Sequence, residues 1–342
     1  MREPRGTAGA EGNCVQSLCS EGSGASLPEG KFVRHAILGA GGIGGLIATI
    51  LSAGGDDVTA VVRAAAAATE PREYELERAD GTVRASVTIA SALGPDDVID
   101  VLWVTPKATQ LRDALTAVAS ARPRAVVPLL NGVDHLATLR ETFGEAVIPA
   151  TIAVGAEKLA PGRFRQTSVF AALMVSERGR APLGAAAGVL ERARVGVVFH
   201  ADENSMMWKK LVGLSVLALT TSAALSPIGP LRDHPRWRPR IDAAIAEVVA
   251  VARAAGADLG EADARMLVFG APADLKSSML RDVEAGREPE LDAIAGVVIR
   301  HAEHHDIPVP AIRALTEDVR ANYAAITAGT APSPAAPTPR TG

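Results

Sequence analysis

The stretch HAILGAGGIGGLIATILSAG, residues 35–54, decides the fold class of this chain. It opens on a short apolar run of strand length and closes on a longer one with helical spacing. Between the two, Gly39, Gly41 and Gly44 stand in a G-x-G-x-x-G pattern. Glycine at the first position permits a tight turn out of a strand. At the second it lets the backbone approach a pyrophosphate, and at the third it lets helix and strand pack closely. The helix N-terminus then points its free amides at the phosphates. Gly-rich turns also serve ordinary strand-to-helix corners, so the spacing alone carries little. The strand before it and the helix after it make this a dinucleotide site, with Gly39, Gly41, Gly42, Ile43 and Gly44 as candidate contacts.

Outward from this stretch, short β-branched runs alternate with helical patterns. Strands are expected at 32–38, 57–62, 83–89, 98–105, 125–130 and 147–154. Such alternation implies a parallel sheet covered on both faces. After about residue 200 the strand patterns stop, and helices are expected at 203–225, 237–255, 260–268, 272–285, 290–305 and 310–327. The fold class is therefore α/β: an N-terminal Rossmann-like, doubly wound parallel sheet over 31–200, then an all-helical C-terminal domain over 201–328. Residues 1–30 and 329–342 have linker composition and read as a disordered leader and tail.

Composition excludes several classes. A chain of 342 residues exceeds what one core usually supports. Its 48% hydrophobic and 22% charged residues are ordinary for a globular protein, and the 3% aromatic content leaves packing to aliphatic side chains. A formal charge of −4 argues against nucleic acid or a membrane surface as a general partner. The only cysteines, Cys14 and Cys19, sit together in the leader, which excludes a disulfide framework and supplies no zinc site. No secretory h-region is present, and the apolar run at 211–219 is short of the roughly 20 residues a membrane span needs. The chain reads as soluble and cytoplasmic.

Three strand ends carry candidate ligand contacts, since open α/β sheets bind at the carboxyl ends of their strands. The second strand ends in Arg63, where an NAD site usually has an acidic residue for the ribose hydroxyls. A guanidinium there suits the 2′-phosphate of NADP instead, unless it is simply a solvated loop residue. Lys107 follows Pro106 at the end of the fourth strand, and Asn131-Gly132 closes the fifth. Each is either a ligand contact or an ordinary loop residue, the asparagine being at home in a left-handed turn.

A second stretch raises a sharper question. MWKKLVGLSVLALTTSAALS, residues 207–226, reads as a buried helix that begins with two lysines. Either both are solvated at a helix end, or one works in a cleft.

The segments ILGAGGIGG, VVR, VTPKATQL, LLNGV, APGRFRQ, MWKKL and SSMLRDVEAGREPELDAIAG, spread over residues 33–327, resemble the ketopantoate reductase (2-dehydropantoate 2-reductase) family. The last is the most specific, because no generic structural demand would repeat it. The resemblance implies NADPH-dependent reduction of a branched 2-oxo acid in pantothenate biosynthesis, in a cleft between a Rossmann domain and a helical one. It implies cofactor contacts at Lys107 and Asn131, a catalytic Lys210, a substrate-binding Ser278 and a functional Glu290 that serves catalysis or cofactor. Lys107 and Asn131 also border the substrate, and the helical domain can support a homodimer.

The chemistry agrees with that assignment. Hydride delivery to a 2-oxo carbon builds negative charge on its oxygen, which a proton donor must meet. A lysine beside Trp208 and Leu211 is partly desolvated, and that lowers its pKa. Ser278 can orient the substrate carboxylate or hydroxyl, and Glu290 can pair with Lys210 or accept a substrate hydroxyl. As structural residues, the first would be a helix hydroxyl and the second a first-turn carboxylate.

One departure stands out. Family members commonly carry asparagines four and eight residues after the lysine, on the same helix face; here those positions are Leu214 and Ala218. The pocket is therefore expected to suit a bulkier or less hydroxylated 2-oxo acid, unless Ser215 or Thr221 turns inward. The alternatives are a reductase of another carbonyl or imine, and a non-catalytic NADP-binding sensor. His301, His304 and His305 cap a helix end and are not read as a metal site; His135, His200 and His234 are read as structural.

Overall fold

The computed structural model describes residues 33–330; the leader and most of the tail lie outside the described residues. The first strand, β1 (Arg34–Leu38), runs into helix α1 (Gly42–Ala53) and then β2 (Asp57–Val61). After the short helix α2 (Ala64–Ala67) come β3 (Glu73–Arg78), β4 (Gly81–Ser86), β5 (Thr88–Ala90) and β6 (Val101–Val104). Helix α3 (Leu111–Leu115), β7 (Ala125–Pro128) and α4 (His135–Phe143) follow. A long hairpin of β8 (Ala150–Ala160) and β9 (Arg163–Ser176), then α5 (Arg180–Arg192) and β10 (Gly196–His200), completes the α/β half.

Strands β5-β2-β1-β6-β7 form a five-stranded sheet, parallel throughout. Both faces are buried. Ile37 points into one apolar cluster, while Ala36 and Leu38 point into the other, which is why this strand reads as a continuous apolar run. The chain passes from β1 to β2 on one side and returns to β6 on the other, so the glycine turn sits at the switch point of the sheet. Thr105, just beyond β6, clamps that turn by donating to the carbonyls of Leu38 and Gly39 at 3.0 and 2.6 Å.

Helix α1 is buried along Gly44–Leu51 because a second sheet covers its other side. That sheet runs β10-β9-β3-β4, with β8 paired to β9. A side chain at Gly45 would overlap the Phe164 ring of β9, so the doubled glycine is what lets α1 lie between two sheets. Here the sequence expectations need correction. The strand expected at 83–89 is two strands, β4 and β5, and they belong to different sheets. The strand expected at 147–154 runs instead over Ala150–Ala160, antiparallel to β9 in the second sheet. Strands β3, β9 and β10 were not anticipated. In β3 the glutamates, poor strand formers, mask an alternation whose buried members are Tyr74 and Leu76. Cross-strand pairs from Glu75 to Arg84 and from Glu77 to Arg165, both at 2.7 Å, hold them in place.

The helical half follows. Helix α6 (Glu203–Ala224) is its central element, started by Asp202, whose carboxylate accepts from the Ser205 amide at 3.0 Å. Around it lie α7 (Arg238–Ala254), α8 (Glu261–Phe269), α9 (Ser278–Glu284), α10 (Val297–His304) and α11 (Pro310–Thr327). The helix expected at 272–285 is shorter, because Ser277 caps α9 by accepting from the Leu280 amide. The one expected at 290–305 begins with a π-helical turn at Asp292–Gly296. Such a turn widens the backbone and is frequent at functional sites.

Candidate active site

At the glycine turn, Gly39 has φ +95° and its amide donates to the Val61 carbonyl at 3.1 Å. A Cβ at Gly44 would overlap the Gly39 carbonyl and the Thr105 hydroxyl. A Cβ at Gly41 meets nothing within 4 Å. Helix α1 begins at Gly42, with Ile43 in its first turn, and has neither a side-chain cap nor an acidic residue there. Its leading amides therefore present uncompensated positive dipole on the open side of Gly41. That is the fit a pyrophosphate requires.

Arg63 is exposed directly after β2, preceding α2. The next carboxylate, Glu70, is buried and committed to Lys158 at 3.1 Å and to the Tyr74 hydroxyl at 3.3 Å. The end of β2 therefore presents a cation and no available acid.

Lys107 and Asn131 each reach a carboxylate of the helical half, Asp282 and Glu290 respectively. The Glu290 carboxylate accepts from the Ala108 amide and from the Asn131 side-chain amide, both at 3.0 Å. Lys107 pairs with Asp282 of α9 at 2.8 Å, and Arg287 holds the other oxygen of that carboxylate at 2.8 Å. Gly132 has φ +83°, and a Cβ there would overlap the Ala293 carbonyl in the π-turn. The Asn-Gly turn is thus fixed by its backbone angle and by close approach to the helical half.

The two lysines part company at the start of α6. Lys209 is exposed, whereas Lys210 is partly buried. Burial pushes the Lys210 ammonium down to about 8, with the Glu290 charge opposing. Trp208 is buried beside it and meets His301 edge-on, ring centroids 5.0 Å apart. His301 in turn faces Asp134 at 3.7 Å.

Beyond Lys210 on the same face come Leu214 and Leu217, both partly exposed, and then Thr221. Neither Ser215 nor Thr221 offers its hydroxyl to this face. Ser215 is fully buried and donates to the Val212 carbonyl at 3.2 Å; Thr221 donates to Leu217 at 2.7 Å and meets Ser277 at 2.8 Å. Ser278 is the exposed first residue of α9, next to the Ser277 that anchors this helix to α6. One further residue of note is His135, which the sequence reads as structural. It is buried at the start of α4, and burial followed by the Lys210 charge pushes it down to about 4.

Comparison with known proteins decides the kinship. The model of the ketopantoate reductase PanE/ApbA family matches residues 35–178, and that of its C-terminal domain matches residues 202–323. This chain belongs to the ketopantoate reductase family. Membership makes it an oxidoreductase. It is 30% identical over 293 residues to the 2-dehydropantoate 2-reductase of Caulobacter vibrioides, covering 81% of this chain and 94% of that one. It is 30% identical over 302 residues to that of Shigella flexneri, with 84% and 94% covered. Among solved structures, a PanE/ApbA family ketopantoate reductase from Ralstonia eutropha JMP134 superposes with a TM-score of 0.74 at 26% identity, over 84% of this chain and 98% of that one. D-mandelate dehydrogenase with NADH and anilino(oxo)acetate superposes at 0.77 over 86% and 99%, but at 18% identity it shares the fold alone. Among the described residues, no helix of this family member is long and apolar enough to cross a membrane.

Proposed function

We propose that this protein is an NADPH-dependent reductase of a 2-oxo acid whose side chain is more apolar than that of 2-dehydropantoate. The observation that carries the proposal is Lys210: an ammonium pushed down to about 8, on a helix face that continues as Leu214 and Leu217. When bound, a reduced nicotinamide supplies the hydride. Gly39, Gly41, Gly42, Ile43 and Gly44 would hold its pyrophosphate through α1, and Arg63 would meet the 2′-phosphate. Lys107 and Asn131 would border the nicotinamide and the substrate.

Lys210 lies close enough to neutrality to hold a proton at pH 7 and to release it readily. It hydrogen-bonds the substrate carbonyl oxygen and transfers that proton as charge develops there, giving the 2-hydroxy acid. Glu290 sets the charge balance of the ammonium and, through Ala108 and Asn131, the spacing of the cleft. Ser278 receives the substrate carboxylate. Between these two ends the substrate chain lies along Leu214 and Leu217, where neither Ser215 nor Thr221 is free to serve a polar substituent. Two lost hydrogen bonds at about 1 kcal/mol each cost a hydroxylated substrate more than tenfold. Exposed helical surface leaves room for homodimer formation through the C-terminal half.

The test is NADPH oxidation against a panel of 2-oxo acids. Turnover with 3-methyl-2-oxobutanoate and longer aliphatic homologues above that with 2-dehydropantoate is expected. A strong preference for 2-dehydropantoate overturns the apolar assignment, and no turnover with any 2-oxo acid overturns the reaction itself.

A further inference from the structure

The substrate end of the cleft contains a donor and an acceptor that each lack a partner. The donor is Lys210. Among the described residues its ammonium makes no hydrogen bond or ion pair; its counter-charge Glu290 has one carboxylate oxygen on the Ala108 amide and the other on Asn131. The acceptor is His135, only 6% exposed, with both ring nitrogens buried; the Asn131 backbone carbonyl is placed to take its N–H, and among the described residues no donor reaches the other nitrogen. A buried polar nitrogen normally finds a partner, so an acceptor left without one beside a functional group calls for a cause.

Three features join the two. His135 opens α4 directly after Asn131-Gly132, the turn that Glu290 and Ala293 hold against the helical half. Lys210 is the charged group that acts on the ring, while a hydrogen bond to the Asn131 backbone works in the opposite direction. Asp134, the neighbouring carboxylate, is occupied by Arg300 at 2.7 Å and faced by His301 at 3.7 Å, so it does not compete for the lysine. The ring stays neutral at any pH where Lys210 carries its proton and the enzyme would work, and a neutral imidazole always keeps one nitrogen as an acceptor.

We propose that His135 is a positioning residue that docks the Lys210 ammonium, accepting one of its N–H bonds so that another is aimed at the substrate oxygen. The lysine's four-carbon stem has the rotational freedom to make this contact, and its three donors leave two for substrate and solvent. The docked geometry favours the protonated lysine. Without it the ammonium stands in the same apolar pocket with one fewer partner and loses its proton at lower pH.

The inference rests on Lys210 being the acid, so the test reads Lys210 itself without turnover. The full-length protein is acetylated with limiting acetic anhydride across a pH series, and modification at Lys210 is followed by peptide mass spectrometry. In the wild type the half-point is expected near 8. His135→Phe fills the ring volume without an acceptor and is expected to lower the half-point by about one pH unit. His135→Asn and His135→Gln place an amide oxygen near one nitrogen or the other, and one of them is expected to restore it. Should His135→Phe fail to fold by circular dichroism, His135→Met takes its place. A half-point unchanged in the apolar variant, or restored by neither amide, overturns the proposal. If the half-points move as expected while no 2-oxo acid is reduced, the docking stands and the assigned reaction falls.

Discussion

The two ends of the proposed cleft are built by opposite means. At the proposed cofactor end the pyrophosphate contacts are backbone amides and a turn, set by glycines within six consecutive residues, and the side chain assigned to the 2′-phosphate, Arg63, is exposed. At the substrate end the groups are side chains, Lys210, His135, Asn131 and Glu290, brought together from four separate elements, with the lysine held away from water. A local backbone device tolerates solvent because its amides need only point outward. A proton donor depends on burial, since burial is what moves its pKa toward the working range.

Substitutions at the two ends should therefore fail differently. The largest effect is expected from Lys210→Ala: a fall in kcat of about 10²- to 10⁴-fold, with NADPH affinity in a fluorescence titration held within a few-fold. An equal loss of both would erase the division between the ends.

His135 offers the next test, through stability and not rate. In the unfolded chain it takes its proton near 6.5, but when folded not until about 4. Unfolding therefore binds a proton in that window, so the contribution is fully present above pH 6.5 and is lost as pH falls toward 4. It amounts to roughly 3 kcal/mol, and urea unfolding of His135→Phe should show a correspondingly flatter acid limb. An unaltered limb would mean that the ring is solvated.

At the cofactor end the effects are smaller and sort by position. Gly44→Ala meets the Gly39 carbonyl and the Thr105 hydroxyl, so a loss of about 1–3 kcal/mol in thermal unfolding is expected along with weaker NADPH binding. Gly41→Ala meets nothing and should leave the melting temperature in place while weakening the cofactor alone. Arg63→Ala is expected to shift the ratio of kcat/KM for NADPH over NADH by about tenfold toward NADH, a modest figure for an exposed charge.

The same contrast explains what could be read from sequence. The glycine turn was legible because its determinants are contiguous and each has a stereochemical reason; Arg63, Lys107 and Asn131 followed from where strands end. Lys210 stood out through its apolar setting, and family resemblance chose it over Lys209. The proposed contact of Lys210 with His135 was not legible, since nothing local to either residue announces the other, and α4 meets α6 only through the tertiary fold. Burial of Ser215 and Thr221 escaped for the same reason: a hydroxyl that bonds back to its own helix looks, in sequence, like one that faces a ligand. The second sheet was hidden by polar alternation in β3 and by register shifts that interrupt the pairing of β8 with β9. The π-turn at Asp292–Gly296 leaves no compositional trace, yet it forms the surface that Gly132 packs against.

The central claim is that Lys210 carries the proton delivered to the substrate, and the dependence of kcat/KM on pH tests it most directly. With NADPH and 3-methyl-2-oxobutanoate, the wild type is expected to lose activity through a basic limb centred near 8, and Lys210→Ala to show a much lower rate without that limb. A Lys210→Ala enzyme that keeps both the wild-type rate and the limb would contradict it.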